Sequence, residues 1–259
     1  MKKNWHKTAV IDPRADIDED VEIGPYCIIG RGVKISKGVK LHSHVVIEGD
    51  TEIGEGSSIY PFASIGLPPQ DIRYNNEPTK VIIGRKNTIR EYVTIHRASA
   101  SGDAVTSVGD SNFLMAYVHI AHNCRVGSHV TMANVATLAG HVVVEDHAVI
   151  GGLAAAHQHT RIGRYAMVGG LSGIVQDIPP YMIAAGSRAK LFGPNSIGLK
   201  RHGFSDSSVN AIKKAYRLLF REKLTLKEAI KKVHDELPNS PEIRHLIEFI
   251  EKNKRGISR

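Results

Sequence analysis

The sequence is poor in the residues that stabilise many small secreted domains. It has two cysteines, one tryptophan and 6% aromatic residues in 259 positions. Cys27 and Cys124 both occupy an inward, small-residue position of the repeat described below, so we interpret them as core residues in a reducing compartment and not as a disulfide or metal pair. With 42% hydrophobic residues but few aromatics, the composition favours a core of thin, repeated layers.

Long apolar runs are also lacking, since no stretch approaches the ~18 residues of a membrane span. The start, MKKNWHKTAVIDPRADIDED, has two lysines but no apolar run behind them, which argues against a secretory signal. We therefore expect a cytoplasmic protein without integral membrane contact. The net charge of +8 predicts acidic partners. Nucleic acid is not favoured, because no zinc-finger, basic-zipper or aromatic-interleaved RNA motif accompanies the basic residues.

A six-residue repeat dominates the sequence. Large apolar anchors recur every six residues from Ile11 to Ile65, from Ile83 to Ile95 and from Val108 to Ile174, with small or β-branched residues four places after most of them. This period is typical of a β-helix in which three short strands make one coil of eighteen residues. About eight coils are expected. His122, Gly140 and Gln158 are spaced by eighteen and should stack on one edge, roughly 4.8 Å apart per coil.

Two polar segments interrupt the repeat, at residues 66–80 and 97–107. The first, GLPPQDIRYNNEPTK, carries three prolines. A regular solenoid does not need such loops for stability, and long loops on a rigid scaffold are often functional. We therefore expect a site beside them.

Beyond residue 186 the pattern changes to that of helices, which divides the chain into a β-helix (1–186) and a helical domain (187–259). Ser205 opens one amphipathic segment, and Thr225 with Glu228 forms a capping box before another. Ser240 followed by Pro241 begins the last helix, and Gly256 is expected to end it. About three helices should cover the open end of the solenoid.

Histidines cluster beside the interruptions and allow two chemistries. His96, His119 and His122 are candidate zinc ligands, as in the gamma carbonic anhydrases. Alternatively, one histidine acts as a general base in acyl transfer, with the backbone N–H of Gly140 stabilising an oxyanion. Any one of these histidines alone could have a structural role, so the residues by themselves leave both chemistries open.

Several motifs together resemble the UDP-N-acetylglucosamine acyltransferases of lipid A biosynthesis. They are HIAHNC (119–124), LAGHV (138–142), AAHQH (155–159), IGPYCIIG (23–30), QDIRYNNEPT (70–79), TIHR (94–97) and GLKRHGFS (198–205). The resemblance runs from about Ile11 to the C-terminus. It implies a homotrimer of left-handed β-helices with active sites between subunits. It also implies transfer of an (R)-3-hydroxyacyl group from acyl carrier protein to the sugar 3-position, with no other cofactor and no metal.

The resemblance also implies roles for individual residues. His122 matches the general base, Gly140 the oxyanion donor and Gly170 the residue that limits acyl-chain length. The residues that match substrate contacts are Asp71, Arg73, His96, His119, His141, His157, Gln158, Asn195 and Arg201. Lysines and arginines of the helices (Lys213, Lys214, Arg217, Arg221, Lys223) are candidates for docking the acidic carrier protein, although they could equally form an ordinary solvated face.

Four positions depart from the family pattern. Asn123 replaces Asp after the base, Arg73 replaces Lys, His202 replaces a second Arg, and His159 replaces an aromatic residue. An Asn can orient an imidazole through its amide oxygen, but it carries no charge to stabilise the imidazolium. N-acylation of the 3-amino analogue of the sugar nucleotide therefore remains open beside O-acylation.

Overall fold

The computed structural model describes residues 4–100 and 102–259, and its strands form three faces of a prism. The strands are β1 (Asn4–Trp5), β2 (Val10–Ile11), β3 (Asp16–Ile17), β4 (Glu22–Ile23), β5 (Ile28–Ile29), β6 (Lys34–Ile35), β7 (Lys40–Leu41), β8 (Val46–Ile47), β9 (Asp50–Ile53), β10 (Ser58–Ile59), β11 (Ser64–Ile65), β12 (Lys80–Ile83), β13 (Thr88–Ile89), β14 (Thr94–Ile95), β15 (Val105–Val108), β16 (Phe113–Leu114), β17 (His119–Ile120), β18 (Arg125–Val126), β19 (Thr131–Met132), β20 (Thr137–Leu138), β21 (Val143–Val144), β22 (Val149–Ile150), β23 (Ala155–Ala156), β24 (Arg161–Ile162), β25 (Met167–Val168), β26 (Gly173–Ile174), β27 (Met182–Ala185) and β28 (Lys190–Pro194).

Successive strands go to successive faces, so every third strand belongs to the same sheet. Face 1 runs from β1 through β4 to β25, β27 and β28, face 2 from β2 to β26, and face 3 from β3 to β24. All strand pairs are parallel except β27 with β28. The fold is therefore the left-handed parallel β-helix expected from the repeat. We name the three corners of the prism the 1–2, 2–3 and 3–1 edges, after the faces that the chain joins there.

The six-residue anchors form the core of the prism. From Ile23 to Ile174 they are almost completely buried, and the small residues four places later fill the space between them. Ile11 and Ile17 are only partly buried because they lie at the open N-terminal end. Cys27 and Cys124 are both buried and free, as predicted. The burial of the Cys124 thiol raises its pKa to about 12, so it is a core residue and not a reactive one.

The end of the solenoid is covered by a hairpin and helices. The helices are α1 (Ser196–Arg201), α2 (Asp206–Phe220), α3 (Leu226–Glu236) and α4 (Pro241–Glu251). Ser205, Thr225 and Ser240 cap α2, α3 and α4, as the sequence predicts. None of the helices in the described residues is long and apolar enough to cross a membrane.

Three local details differ from the sequence-based expectation. Strand β15 begins at Val105, so the second interruption ends at residue 104 and not at residue 107 as expected. Strand β12 begins at Lys80, the last residue of the expected first interruption. The segment expected to be purely helical begins with β28, which pairs back onto β27. The expected stop at Gly256 is wrong, because α4 ends at Glu251 and residue 256 instead pairs with the solenoid through its carbonyl, which accepts from Asp177 N–H.

Candidate active site

Both interruptions and the histidine cluster lie on the same edge of the prism. Residues 66–79 follow β11 and residues 96–104 follow β14, and both segments return to face 3. His122 follows β17, the next strand of face 2, so it occupies the same edge one coil further on. The 2–3 edge therefore carries two loops and then histidines in consecutive coils, which makes it the candidate site.

The eighteen-residue register holds along this edge. His119 pairs with Thr137 and Thr137 with Ala155 in the sheet, so His122, Gly140 and Gln158 occupy equivalent corners of three coils. The imidazole of His122 contacts that of His141 edge to face, with ring centroids 5.3 Å apart. His141 in turn stacks on His159 at 4.5 Å. Burial and these two neighbouring imidazoles lower the pKa of His141.

The His122 ring has a defined contact on each side. Its Nδ1 lies 2.9 Å from Oδ1 of Asn123 and 3.4 Å from Oγ of Ser99. On the other side it covers Gly140, where a Cβ would lie 2.5 Å from Cε1 and 2.6 Å from Nε2. Only glycine leaves room for the ring in this position. The N–H of Gly140 donates to no acceptor among the described residues, so it is available to a ligand.

His96 and His119 form a buried pair beside His122. Their rings meet edge to face at 5.3 Å, and Nδ1 of His119 lies 2.7 Å from the hydroxyl of Thr94. Nδ1 of His96 is buried and has no hydrogen-bond partner among the described residues. Burial, followed by the charges of His119 and His122, lowers the pKa of His96 to about 4. Burial also lowers the pKa of His119, followed by the His122 charge.

The low pKa of His96 predicts a pH dependence of stability. The unfolded chain binds a proton at this site below about pH 6.5, whereas the folded chain does so only near pH 4. The contribution of His96 should therefore lower the free energy of unfolding as the pH falls from about 6.5 to about 4, by about 3 kcal/mol in total. In His96→Gln the free energy of unfolding should depend less on pH over this interval. Urea unfolding at fixed protein concentration between pH 7 and pH 4 measures the difference, and identical slopes would contradict the assignment.

The first loop presents a charged pair to the same site. Arg73 binds both carboxylate oxygens of Asp71, at 3.1 Å each. The side-chain hydrogen bonds from Arg73 lower the pKa of Asp71 to about 2, and the nearby His122 contributes a smaller lowering. Arg97 fixes the loop to the second interruption, since its Nε donates to the hydroxyl of Tyr74 at 3.0 Å and its Nη1 to the Gly66 carbonyl at 3.3 Å.

The zinc alternative is not supported by the arrangement of side chains. Within residues 4–100 and 102–259, no group of three or more His, Cys, Asp or Glu side chains is placed to hold a metal ion. Nδ1 of His119 is occupied by Thr94, and Nδ1 of His122 faces Asn123. Of the three histidines proposed as zinc ligands, His119 and His122 thus have Nδ1 hydrogen-bonded to other residues and His96 only contacts the His119 ring, so they are not arranged around a common point.

Further along the same edge, the site continues into a cationic cleft. His157 and Gln158 are exposed, and Nη2 of Arg255 lies 3.1 Å from Nδ1 of His157. A cleft of about 480 Å³ runs from His141 and His159 along face 3; it is also lined by Val143, Arg161, Asp177, Lys252, Lys254 and Arg255. Arg161 is neutralised by the buried Asp177 at 2.8 Å, whereas the 252–255 segment adds positive charge to the rim.

The remaining predicted site residues lie on other edges of the same chain. Gly170 is at the 1–2 edge, where a Cβ would lie 3.1 Å from the Gly152 carbonyl. Arg201 belongs to α1 and Asn195 directly precedes this helix, whose C-terminal neighbour His202 packs against His147 and Tyr165 on the 3–1 edge. Asn195 caps this helix by accepting from Gly198 N–H at 3.1 Å, and it donates to the Tyr165 carbonyl at 3.1 Å. Arg201 is exposed. One chain does not bring these residues to His122.

Sequence reasoning missed three residues of the site, Thr94, Arg97 and Ser99. Thr94 pairs with His119 although they are 25 positions apart, because the second loop adds residues to the coil. Counting the register through that loop from Ile95 to Ile120 would have found the Thr94 contact. No periodic signal marks Ser99, because it lies inside the loop.

Known proteins are similar to this chain in sequence and in fold over almost its whole length. A family model described as UDP N-acetylglucosamine O-acyltransferase, domain 2, matches residues 177–258. An acyl-[acyl-carrier-protein]–UDP-N-acetylglucosamine O-acyltransferase from Thermodesulfovibrio yellowstonii is 66% identical over 254 residues, which cover 98% of each protein. A protein of the same name from Syntrophobacter fumaroxidans is 49% identical over 255 residues, 98% of this chain and 99% of that protein.

A solved structure agrees with these relatives. The structure of LpxA from Acinetobacter baumannii superimposes with a TM-score of 0.97 at 44% identity, covering 99% of this chain and 100% of that one. The agreement extends over the β-helix, both loops and the helical end. The chain therefore belongs to the UDP-N-acetylglucosamine O-acyltransferase family of acyltransferases.

Proposed function

We propose that the protein transfers an (R)-3-hydroxyacyl group from acyl carrier protein to the 3-hydroxyl of UDP-N-acetylglucosamine, the first step of lipid A biosynthesis, with His122 as general base. The names of the relatives supply the acyl donor, the acceptor and the O-acylation, whereas the 3-hydroxyacyl group and the sugar 3-position come from the resemblance to the family. The observation that carries the role of His122 is its position, with Nδ1 bound by Asn123 and Nε2 directed over Gly140. A cytoplasmic location follows from the proposed acyl donor.

The reaction needs one base and one oxyanion donor. Nε2 of His122 takes the proton of the 3-hydroxyl while that oxygen attacks the thioester carbonyl carbon, so that a C–O bond forms. The N–H of Gly140 donates to the oxyanion of the tetrahedral intermediate. Collapse breaks the C–S bond, and the imidazolium returns its proton to the departing thiolate of phosphopantetheine. The acyl group arrives on the carrier protein, so the protein needs no cofactor of its own and no metal.

The other predicted residues would bind the substrates. Asp71, Arg73, His96, His119 and His141 surround the base and are suited to hydroxyl and amide groups of the sugar. His157 and Gln158, next to the cationic cleft, are suited to the more distant, phosphorylated part of a substrate. Asn195, Arg201 and Gly170 would complete the nucleotide and acyl-chain sites from neighbouring subunits.

A homotrimer is proposed because the matching residues are distributed over three edges of one prism. His122, Asn195 and Gly170 belong to the 2–3, 3–1 and 1–2 edges, which rigid faces keep apart within a chain. The 1–2 edge also exposes a ladder of rings, Tyr26, His44, Phe62, Tyr92 and Tyr117, stacked at 4.7–5.0 Å. Val135, Leu153 and Leu171 extend it and are 40%, 56% and 71% exposed. Such a continuous apolar edge is typical of an interface.

We expect sedimentation equilibrium to give a particle of about 85 kDa, three times the 28.3 kDa chain. Leu153→Glu, which places a charge on the ladder, should lower the apparent mass, because a buried unpaired charge is costly. Lys34→Glu, on the exposed outer surface of face 3, serves as the control and should leave it unchanged. A stable monomer with full acyltransferase activity would contradict the trimer.

We propose the basic side chains of the helices as docking contacts for the acidic carrier protein. Of the five candidate side chains, Lys214 and Arg217 already pair with Glu236 and Glu222, and Arg221 donates to the Leu191 carbonyl. Lys213 and Lys223 are both exposed. They are therefore the better candidates for charge contacts with a partner.

One assay distinguishes the proposed function from its alternatives. The protein is incubated with 3-hydroxyacyl carrier protein and either UDP-N-acetylglucosamine or its 3-amino analogue. We expect an ester with the first acceptor, and activity that survives chelation and dialysis. A product only from the 3-amino analogue would mean N-acylation. Stoichiometric zinc, hydration of CO₂ and no acyl transfer would instead support the carbonic anhydrase-like alternative.

A further inference from the structure

The side chain of Asn123 is held in one orientation by the backbone of the second loop. The N–H of Ser99 donates to Oδ1 of Asn123 at 3.0 Å, and Nδ2 of Asn123 donates to the Ser99 carbonyl at 3.3 Å. Asn123 and Ser99 are only 8% and 5% exposed. A backbone N–H can only donate and a backbone carbonyl can only accept. The backbone of the loop therefore fixes the positions of Oδ1 and Nδ2 in the Asn123 side chain.

The opposite amide orientation is disfavoured on both sides. A half-turn of the amide would place two donors against each other at Ser99 N–H and two acceptors against each other at its carbonyl. Both pairs would be buried without hydrogen bonds, which a protein interior penalises. The hydroxyl of Ser99 also lies 3.1 Å from Oδ1, but a hydroxyl can donate or accept, so the orientation is selected by the two backbone contacts.

The fixed amide determines the protonation of the His122 ring. Oδ1 of Asn123 lies 2.9 Å from Nδ1 of His122. Because an amide oxygen has no hydrogen to donate, Nδ1 must carry the proton of the neutral ring. Nε2 then has the free lone pair, and it is the atom that lies over Gly140, 2.6 Å from where a Cβ would be.

We propose that Ser99 is a positioning residue whose backbone, acting through Asn123, selects the tautomer in which Nε2 of His122 can accept a proton. The catalytic meaning of this tautomer rests on the proposed function, whereas the tautomer itself is a property of the free protein. The role follows from the amide at position 123. A carboxylate there offers Nδ1 an acceptor whichever way it turns, so it selects the same tautomer without an orienting contact, although its second oxygen would then face the Ser99 carbonyl.

This difference between an amide and a carboxylate gives a double-mutant test. Ser99→Pro removes the backbone N–H and also the hydroxyl, whereas Ser99→Ala removes only the hydroxyl. We expect Ser99→Ala to stay within about threefold of the wild-type kcat/KM, and Ser99→Pro to lose about tenfold or more because one of the two backbone contacts that orient the amide is removed and the wrong tautomer becomes populated. In an Asn123→Asp background, Ser99→Pro should cost less than about threefold.

The charge introduced by Asn123→Asp provides a second signature. A carboxylate next to Nδ1 favours the imidazolium, so the acid limb of the kcat/KM profile should move to higher pH by about one unit. Ser99→Pro in that background should leave the shifted limb in place. An equal loss from Ser99→Pro in both backgrounds would overturn the proposal, since it would mean a general effect on the loop.

Nitrogen NMR of histidine-labelled protein tests the tautomer without any turnover. His122→Asn identifies the His122 signals by difference. We expect a protonated Nδ1 and an unprotonated Nε2 in the wild type, and a change in this ratio in Ser99→Pro. A wild-type ring protonated at Nε2 would overturn the proposal. If the tautomer is as expected but no acyl transfer occurs, the proposed function fails and the tautomer assignment stands.

Discussion

Replacing His122 by alanine is expected to lower turnover by about 10²–10⁴-fold, the usual contribution of a general base. The side chain lies at a corner outside the core, whereas the neighbouring Ile120 is completely buried. The proposed trimer and its melting temperature should therefore change little. Binding of the sugar nucleotide should also survive, because the base acts on the hydroxyl proton. Single-turnover rates and calorimetric binding on the same preparation separate these effects.

His119→Ala is the matched control for this experiment. His119 is also a histidine of the 2–3 edge, but its Nδ1 is bound to Thr94 and it belongs to a strand. We expect its loss to weaken substrate positioning and to cost less in turnover. An intact His122→Ala trimer that works at more than about a tenth of the wild-type rate would show that another group is the base.

The second large effect is expected for Gly140→Ala. The added Cβ would lie 2.5 Å from Cε1 and 2.6 Å from Nε2 of His122, closer than atoms can approach, so the ring must turn away. The oxyanion donor is a backbone N–H and is retained by alanine. We expect kcat to fall by about 10²-fold or more with little change in the affinity for the sugar nucleotide, since reacting groups must be aligned closely.

Gly30→Ala provides the comparison for that substitution. Gly30 lies at the same edge five coils away from Gly140, where a Cβ would be 3.3 Å from Glu48. Both variants add one methyl group to a corner, but only one displaces a histidine. Equal activities of the two variants, measured with saturating acyl donor, would contradict a role for the His122–Gly140 contact.

The fold could be predicted because its repeat ties each residue to a place in space. The burial of Ile59 or Leu138 follows from a hexad position alone, and the stacking of His122 over Gly140 follows from a spacing of eighteen. The position of Ser99 could not be obtained this way, because loop residues have no period. The sequence also does not reveal that both interruptions lie at the same edge. That conclusion requires knowing that β11 and β14, the strands before the two interruptions, belong to the same face.

Asn195 shows a different limit of the sequence. Its resemblance to a nucleotide-contacting residue remains a proposal, whereas its local role was available from the chain itself. An Asn directly before the helical segment SIGLKR is a favoured helix cap, and in the structure its amide is used in that way. Asn195 can both cap the helix and contact a nucleotide only if its amide keeps one lone pair or one hydrogen that the capping contacts do not use. The sequence does not show how the amide is used.

In the proposed trimer, the corner at Val135 would link the stability of one protomer to its assembly. Its φ of +66° places a β-branched residue in the left-handed region, which costs about 1–2 kcal/mol and which Asn or Gly would largely avoid. Among the described residues, packing covers only part of this side chain, which is 40% exposed. A contact from a neighbouring subunit on the apolar ladder would offset this cost. Folding and association are then coupled, so that a protomer alone is less stable than its continuous core suggests, and dilution should act on it as a denaturant does.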